Sequence, residues 1–309
     1  VSLFKAPIAA PGHHCAAPGG RSINPEVIGR APPARYPAGM MRSSPATMPP
    51  PPVGSLLRVW RQRRRMSQLD LACEADISTK HLSFLETGRA RPSRDMVLHL
   101  AERLAVPLRE RNVLLHAAGF APAFAERPLA DPGLAAARQA VELVLTGHEP
   151  HPALAVDRHW NLLAANRMVA PLLTGVEAAL LAPPVNVLRL SLHPGGLAPR
   201  IANLGEWRAH LLDRLRQQID ASADPVLAEL LAELRGYPAP PQAEASAATI
   251  AIPFRLDTQW GRLAFYSTTT VFGSPVDITL SELALESFFP ADPATAAALA
   301  RIASQGAPP

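Results

Sequence analysis

The sequence predicts a mainly α chain in two parts, a five-helix domain over residues 53–120 and an α+β domain over residues 133–305. Three observations carry this. From Gly54 to Ala118 apolar residues recur at helical spacing, with Leu57, Trp60 and Arg64 on one face. Ser67, Ser78 and Ser93 stand where helix N-caps belong, and Gly88 and Gly119 where helices end. Past residue 132 helical patterns mix with short runs rich in β-branched and aromatic residues, above all Leu263 to Phe272.

In order, the first part gives helices at about 54–64, 68–75, 79–86, 94–104 and 108–117. Residues 121–132, from Ala121-Pro122 to Asp131-Pro132, read as a linker. The second part gives helices at 133–147, 165–173, 205–220, 225–235 and 293–304, and strands at 153–157, 160–164, 249–256 and 262–271. Tyr237 to Pro241 marks a loop before the last two strands. Residues 1–52 are rich in Pro, Gly, Ala and Arg, and hold no period. They cannot bury enough apolar surface to offset ordering entropy, so they are expected to be disordered. Met40, Met41 and Met48 precede the first patterned helix, and one of them is the expected natural start.

Composition narrows the function classes. A chain of 309 residues that is 48% hydrophobic can build about two cores. No run of 18 or so apolar residues is long enough to cross a membrane, and no signal-peptide core is present. Cys15 and Cys73 are too few for a disulfide framework or a four-cysteine zinc site, which fits a cytoplasmic location. Of the 30 basic residues all but Lys5 and Lys80 are Arg, a usage that points to a GC-rich genome more than to nucleic acid. Placement says more. Residues 55–118 hold 12 Arg and Lys against 7 Asp and Glu, a surplus of five, which exceeds the net charge of +4 for the whole chain. A small helical domain that carries the basic surplus has the electrostatics of a DNA binder.

The block Ser67-Gln68-Leu69-Asp70-Leu71-Ala72, Ala75-Asp76-Ile77-Ser78, Leu82-Ser83-Phe84-Leu85-Glu86-Thr87-Gly88-Arg89 and Arg91-Pro92-Ser93 has a physical task at each step. Leu71, Ala72, Ile77, Leu82 and Leu85 are spaced to pack two helices across a tight turn. Asp76 falls where the turn needs a left-handed residue. Ser78 caps the second helix. Ser78 itself and Thr79, Lys80, His81, Ser83 and Phe84 are left near its exposed N-terminal part, which in this geometry meets base edges in the major groove, and all six are candidate DNA contacts. Taken alone, Arg58, Arg61, Arg63, Arg64 and Arg65 are equally a solvated face and the three serines are equally caps.

The block resembles the Xre/lambda-repressor-like helix-turn-helix family over about 30 residues. The resemblance implies that Gln68 contacts phosphate and that Thr79, Lys80, Ser83 and Phe84 read bases, with Phe84 suited to a thymine methyl. It also implies backbone contacts from the loop Thr87 to Arg91, including Arg89 and Arg91, and from Ser93 and Arg94. Arg61 on the first helix is expected to pair with Glu86 at the end of the second motif helix. A double-stranded operator and a homodimer follow, since one such domain reads a half-site.

In the second part, Val156 to Leu162 reads as strand, tight turn and strand, and Ala164 to Leu173 as a following helix, the opening of a PAS-like domain. Pro122 to Leu173, Asn186 to Gln218 and Ile252 to Asp292, including Phe272-Gly273-Ser274-Pro275 and Glu286-Ser287-Phe288-Phe289-Pro290, resemble the MmyB-like group of Xre regulators. That group implies a PAS-like domain with a fatty-acid-like ligand in an apolar pocket. Trp160, Leu188, Leu190, Trp207, Leu211, Phe254 and Phe265 are the candidates to line it, and each is equally an ordinary core residue. No catalytic residues, metal or cofactor are expected. His13-His14-Cys15 lacks a further ligand, Pro150 interrupts His148 and His151, and no G-x-G-x-x-G, Walker lysine or G-x-S-x-G is present. The expected function is a sequence-specific transcription regulator that senses an apolar ligand. The alternative is a DNA-binding adaptor whose second domain only dimerises or binds a protein.

Overall fold

Five helices open the described chain: α1 (Val53–Arg63), α2 (Gln68–Glu74), α3 (Thr79–Glu86), α4 (Arg94–Arg103) and α5 (Leu108–Ala117). They come from a computed structural model that describes residues 51–238, 252–273 and 275–305. The tail 1–50, with the candidate start sites and His13-His14-Cys15, lies outside the described residues, as do Pro240 and Pro241 and the first part of the strand expected at 249–256.

Each of the three serines caps as its position requires. Ser67 Oγ accepts from Asp70 N at 3.1 Å, and the Asp70 carboxylate accepts from Ser67 N at 2.7 Å, a reciprocal capping box. Ser78 Oγ accepts from His81 N at 3.1 Å and Ser93 Oγ from Met96 N at 3.2 Å. The helix ends share one solution. Arg65, Asp76, Gly88, Ala105 and Gly119, one past each C-cap, all have positive φ between 47° and 86°. The next residue then donates back into the last turn, from Met66 N to Arg61 O at 3.1 Å to Phe120 N to Leu115 O at 2.8 Å. Gly88, Gly119 and Asp76 are legible in the sequence, but Arg65 and Ala105 carry no signal. Leu57, Trp60, Leu71, Leu82, Leu85, Leu100 and Leu114 fill the core between the helices. Gly54 lies where α1 crosses α3. A Cβ there would meet Leu85 O at 2.2 Å, so the crossing tolerates only glycine.

The second part is an antiparallel sheet with helices on both faces. Its elements are α6 (Ala135–Gly147), β1 (Ala153–Val156), β2 (Leu162–Ala165), α7 (Val187–Leu192), α8 (Leu204–Ser222), α9 (Pro225–Arg235), β3 (Phe254–Thr258), β4 (Gly261–Val271), α10 (Ile278–Ser281), β5 (Ala284–Pro290) and α11 (Pro293–Gln305). The strand order is β2-β1-β5-β4-β3, with every pairing antiparallel. Strand alternation divides the faces. Ala153 and Ala155 of β1 pack with Val141 and Leu145 of α6. Leu154 and Val156 point to the other face, where α7, α8, α9 and α11 bury the larger core. The predicted fold class, a mainly α chain with a five-helix domain and an α+β PAS-like domain, is the observed one.

Four local expectations need correction. The helix expected at 165–173 is only a 3-10 turn at Ala170–Leu173. Asn166 diverts the chain there: its carboxamide accepts from Ala153 N and Met168 N and donates to Leu145 O and His151 O. Trp160, expected in a strand, sits in the hairpin turn with φ 67°, and β2 starts at Leu162. Strand β5 and helix α7 were not foreseen. Leu188-Arg189-Leu190 alternates as a strand would although it folds as a helix, and Phe288-Phe289 is too short a run to declare a period.

Residues 121–132 are strapped down. Asn112 of α5 holds the backbone of Ala123 and Phe124, and Ile278 N donates to Ala125 O at 2.8 Å. From residue 51 on, the described chain forms one compact unit. Ala105→Gly relieves a left-handed alanine at an exposed helix end. It is expected to raise stability by about 1 kcal/mol in a denaturant titration, with Arg103→Gly, inside α4, lowering it by a similar amount.

Candidate DNA interface and ligand cavity

The interface is built from the inside outward. Arg61 leaves α1 toward the C-terminal end of α3 and meets Glu86 edge-on, Nε to Oε1 at 2.6 Å and Nη2 to Oε2 at 2.9 Å. Both residues are buried, at 8% and 7% exposure. Gln68, the first residue of α2, donates from its amide to Glu86 Oε2 at 2.9 Å. Three helices thus converge on one carboxylate. Burial alone would raise the Glu86 carboxyl, but the hydrogen bonds from Arg61 and Gln68 and the charge of Arg61 outweigh it and hold it below its ordinary value. In return the Glu86 hydrogen bond raises Arg61 further.

The opposite end of α3 is left bare. Ser78, Thr79 and Lys80 are exposed there, and His81, Ser83 and Phe84 are half-buried along the flank of the helix. Phe84 lies between two cations, with Lys80 Nζ 5.7 Å and the Arg89 guanidinium 5.9 Å from its ring centre. Arg89, Arg91, Ser93 and Arg94 are exposed in the following loop and at the start of α4. The eleven residues singled out in the sequence therefore occupy the start of α2, the start and flank of α3, and the α3–α4 loop. Gln68 is drawn partly inward by its bond to Glu86.

The second site is a cavity of about 100 Å3 between the sheet and helices α7 and α8. Trp160, Leu188, Leu190, Trp207, Leu211, Phe254 and Phe265 all line it, together with residues such as Leu154, Val169, Leu172 and Phe288. Helix α8 presents Trp207, Leu211 and Arg214 on one face at helical spacing. Trp207 Nε1 donates to Ser191 Oγ of α7 at 3.1 Å, and its ring lies 4.9 Å from that of Phe254.

Two charged residues in the wall escaped the sequence reading. Arg214 of α8 binds Glu286 of β5 through both terminal nitrogens, at 3.0 and 2.5 Å, and bonds Thr269 Oγ1 at 2.5 Å. Its guanidinium carbon lies 4.6 Å from the Trp160 ring centre. Glu286 is 4% exposed. Residues 72 positions apart give no spacing signal, but a lone Glu in the apolar run Ala284 to Pro290 is one.

Trp160 and Arg214 also wall a polar cleft behind the cavity, shared with Arg158, Gln218 and Glu282. A further polar space of about 240 Å3 continues from Arg158 and Glu282 to Arg109 and Glu110 of α5. The hairpin turn 157–161 bridges these spaces. Asp157 locks the turn by accepting from His159 N and Asn161 N, both at 2.8 Å. Gln218 accepts from Trp160 Nε1 and donates to Arg158 O, both at 2.8 Å. On the junction side, Arg158 lies 3.4 Å from Asp224 and 3.7 Å from Glu282, and His159 Nε2 is 2.9 Å from Asp224. Glu282 in turn holds Arg109 through paired bonds of 2.9 Å.

Among the described residues no group of three or more His, Cys, Asp or Glu could hold a metal, and no helix is long and apolar enough to cross a membrane. Compared with known families, residues 52–114 match a helix-turn-helix domain, and residues 137–302 match the ligand binding domain of MmyB-like transcription regulators. No curated protein matches the chain.

Arg61→Ala is expected to destabilise the protein by about 3–5 kcal/mol, since it strands Glu86 as a buried charge. Because the folded Glu86 value is depressed below 4.5, the pair's contribution is fully present above that pH. It is lost as pH falls through the depressed value, and acid unfolding of wild type against Glu86→Gln checks this.

Proposed function

The chain belongs to the MmyB-like transcription regulators, with a DNA-binding helix-turn-helix domain ahead of a ligand-binding domain, and from that premise we propose a homodimeric, sequence-specific regulator whose DNA affinity responds to an apolar, fatty-acid-like molecule. The observation that carries this reading is the continuous path from the cavity to α5. The bare end of α3 is the reading surface. Lys80, Thr79 and Ser83 meet base edges, Phe84 meets a thymine methyl, and Gln68, Arg89, Arg91, Ser93 and Arg94 hold phosphates. Two copies read two half-sites about 34 Å apart. The protein acts in the cytoplasm as a binding protein, without catalysis.

The apolar cavity supplies the response. An apolar cavity of roughly 150 Å3 holds one benzene ring, so a space of about 100 Å3 admits an acyl chain only if a wall moves. Trp160, backed by Arg214, stands between the cavity and the polar cleft. It is locked into the same five-residue turn as Arg158, so displacing its ring shifts Arg158 against Asp224 and Glu282. That changes the hold of Glu282 on Arg109 in the DNA-binding domain. A ligand can act only through its differential affinity for the two arrangements.

Two measurements test the reading. Lys80→Ala is expected to lower affinity for the DNA upstream of the protein's own gene by about 1–3 kcal/mol and to relax specificity. Gln68→Ala weakens all sequences about equally. Unchanged affinity of Lys80→Ala would rule out α3 as the reading helix. Glu282→Gln is expected to lower the opening free energy of α5 amides by about 1.5 kcal/mol in hydrogen exchange of the full chain. Unaltered exchange in Leu108–Ala117 would cut the path at the junction.

A further inference from the structure

We infer that Arg64 is a positioning residue: it fastens the DNA-binding domain to the end of α8, so that a movement of α8 at the cavity reaches α1 and α4 directly. The fastening rests on geometry alone, and its part in the response rests on the reading of the cavity as the sensing site.

In the sequence Arg64 is one of five arginines that read as a solvated face. Arg58, Arg63 and Arg65 are exposed. Arg64 instead folds back over Trp60, its guanidinium carbon 5.5 Å from the ring centre, and directs its fork to backbone carbonyls. Nε donates to Leu104 O at 2.8 Å, and Nη2 donates to Ala105 O at 2.9 Å and to Ala221 O at 3.2 Å. Leu104 is the C-cap of α4 and Ala105 follows it, while Ala221 lies in the last turn of α8. One side chain of α1 therefore ties together the ends of two other helices.

These carbonyls need a donor from outside their own helices, because the last C=O groups of a helix have no partner within it. The residue four past Ala221 is Pro225, which has no N–H to give. Ala223, with φ 63°, has by then turned the chain out of the helix. Both helix ends also carry partial negative charge, so one cation between them meets two dipoles. A guanidinium can serve both because its donors are held in a fixed fork, whereas a lysine ammonium is a single point. Apolar contact backs the bond: Ala223 packs against the core that holds Leu57, Trp60 and Leu100.

The same helix lines the sensing site. Trp207, Leu211 and Arg214 of α8 wall the cavity, and Gln218 walls the cleft beside it. From Trp207 to Ala221 runs about 21 Å of unbroken helix, at ~1.5 Å per residue. A shift of α8 at the cavity is therefore delivered at Arg64. A fastening at one point leaves the polar junction of Arg109 and Glu282 free to loosen as the domain turns on it.

The test is hydrogen exchange of the full chain, with DNA binding followed by fluorescence anisotropy. Arg64→Ala is expected to raise exchange at least fivefold in two places, the amides of residues 104–106 and those of residues 219–223, with β1 unchanged. Arg64→Lys keeps the charge but not the fork, and its residues 219–223 are expected to exchange at least threefold faster than in wild type. Faster exchange at residues 104–106 alone in Arg64→Ala means that Arg64 caps only α4, and overturns the inference. Wild-type exchange at residues 219–223 in Arg64→Lys means that charge alone suffices, and overturns it too. For the response, sodium dodecanoate is titrated into complexes with the DNA upstream of the protein's own gene. Its effect on affinity is expected to shrink at least threefold in Arg64→Lys, whose affinity without dodecanoate stays within threefold of wild type. An undiminished effect overturns the positioning role. Wild type that binds this DNA but ignores dodecanoate counts against the sensing reading instead, and exchange at residues 219–223 then decides whether Arg64 fastens the domain.

Discussion

The Arg61–Glu86 pair is the interaction on which the DNA-binding half depends. A reading helix must be held rigidly at one end while the other end stays bare for the groove. Glu86 is the held end of α3, gripped by Arg61 from α1 and by Gln68 from α2. The grip requires α1 to pass α3 at backbone contact distance, which is why position 54 has no side chain. Replacing a buried pair with apolar residues often stabilises a protein, so the pair is better read as fixing geometry than as adding net stability. It orients α3 so that Thr79, Lys80 and Ser83 face outward together.

The second half is organised around the turn Asp157 to Asn161. Trp160 adopts a left-handed backbone that a bulky residue pays for in strain, and the turn persists because Asp157 caps it and Gln218 binds it on both sides. Two of its residues face opposite ways, Trp160 to the apolar cavity and Arg158 to the carboxylates at the junction. That junction is polar, formed by Arg109, Glu110, Glu126, Asp224 and Glu282, and interfaces of this kind favour relative motion over a fixed weld. Burial pushes the Glu110 carboxyl up within it, so this side chain opposes a tightly closed junction at neutral pH.

Much of the first half was legible because local rules decide it. Serine caps, Asp76 in its turn and the spacing of Leu71, Leu82 and Leu85 each act within a few residues. The ends at Arg65 and Ala105 were not, since neither residue type advertises a left-handed backbone. In the second half the seven candidate lining residues are large apolar side chains far apart in sequence, and all seven come to one cavity. What spacing could not give is how elements far apart in sequence converge. Arg214 meets Glu286, and Arg158 meets Glu282, only because the sheet places β5 beside β1 under α8. The same limit hid β5, whose burial on both faces erases the alternation that marks a strand.

The central claim, a sequence-specific DNA-binding regulator, is tested most directly by fluorescence anisotropy of the full chain. The titration uses DNA from upstream of its own gene against a scrambled duplex, at stepped salt concentrations. Selective binding to the upstream DNA, with affinity falling steeply as salt rises because several arginines and Lys80 displace counter-ions, is the predicted result. Equal affinity for both duplexes across the salt range, or none for either at low salt, would contradict it.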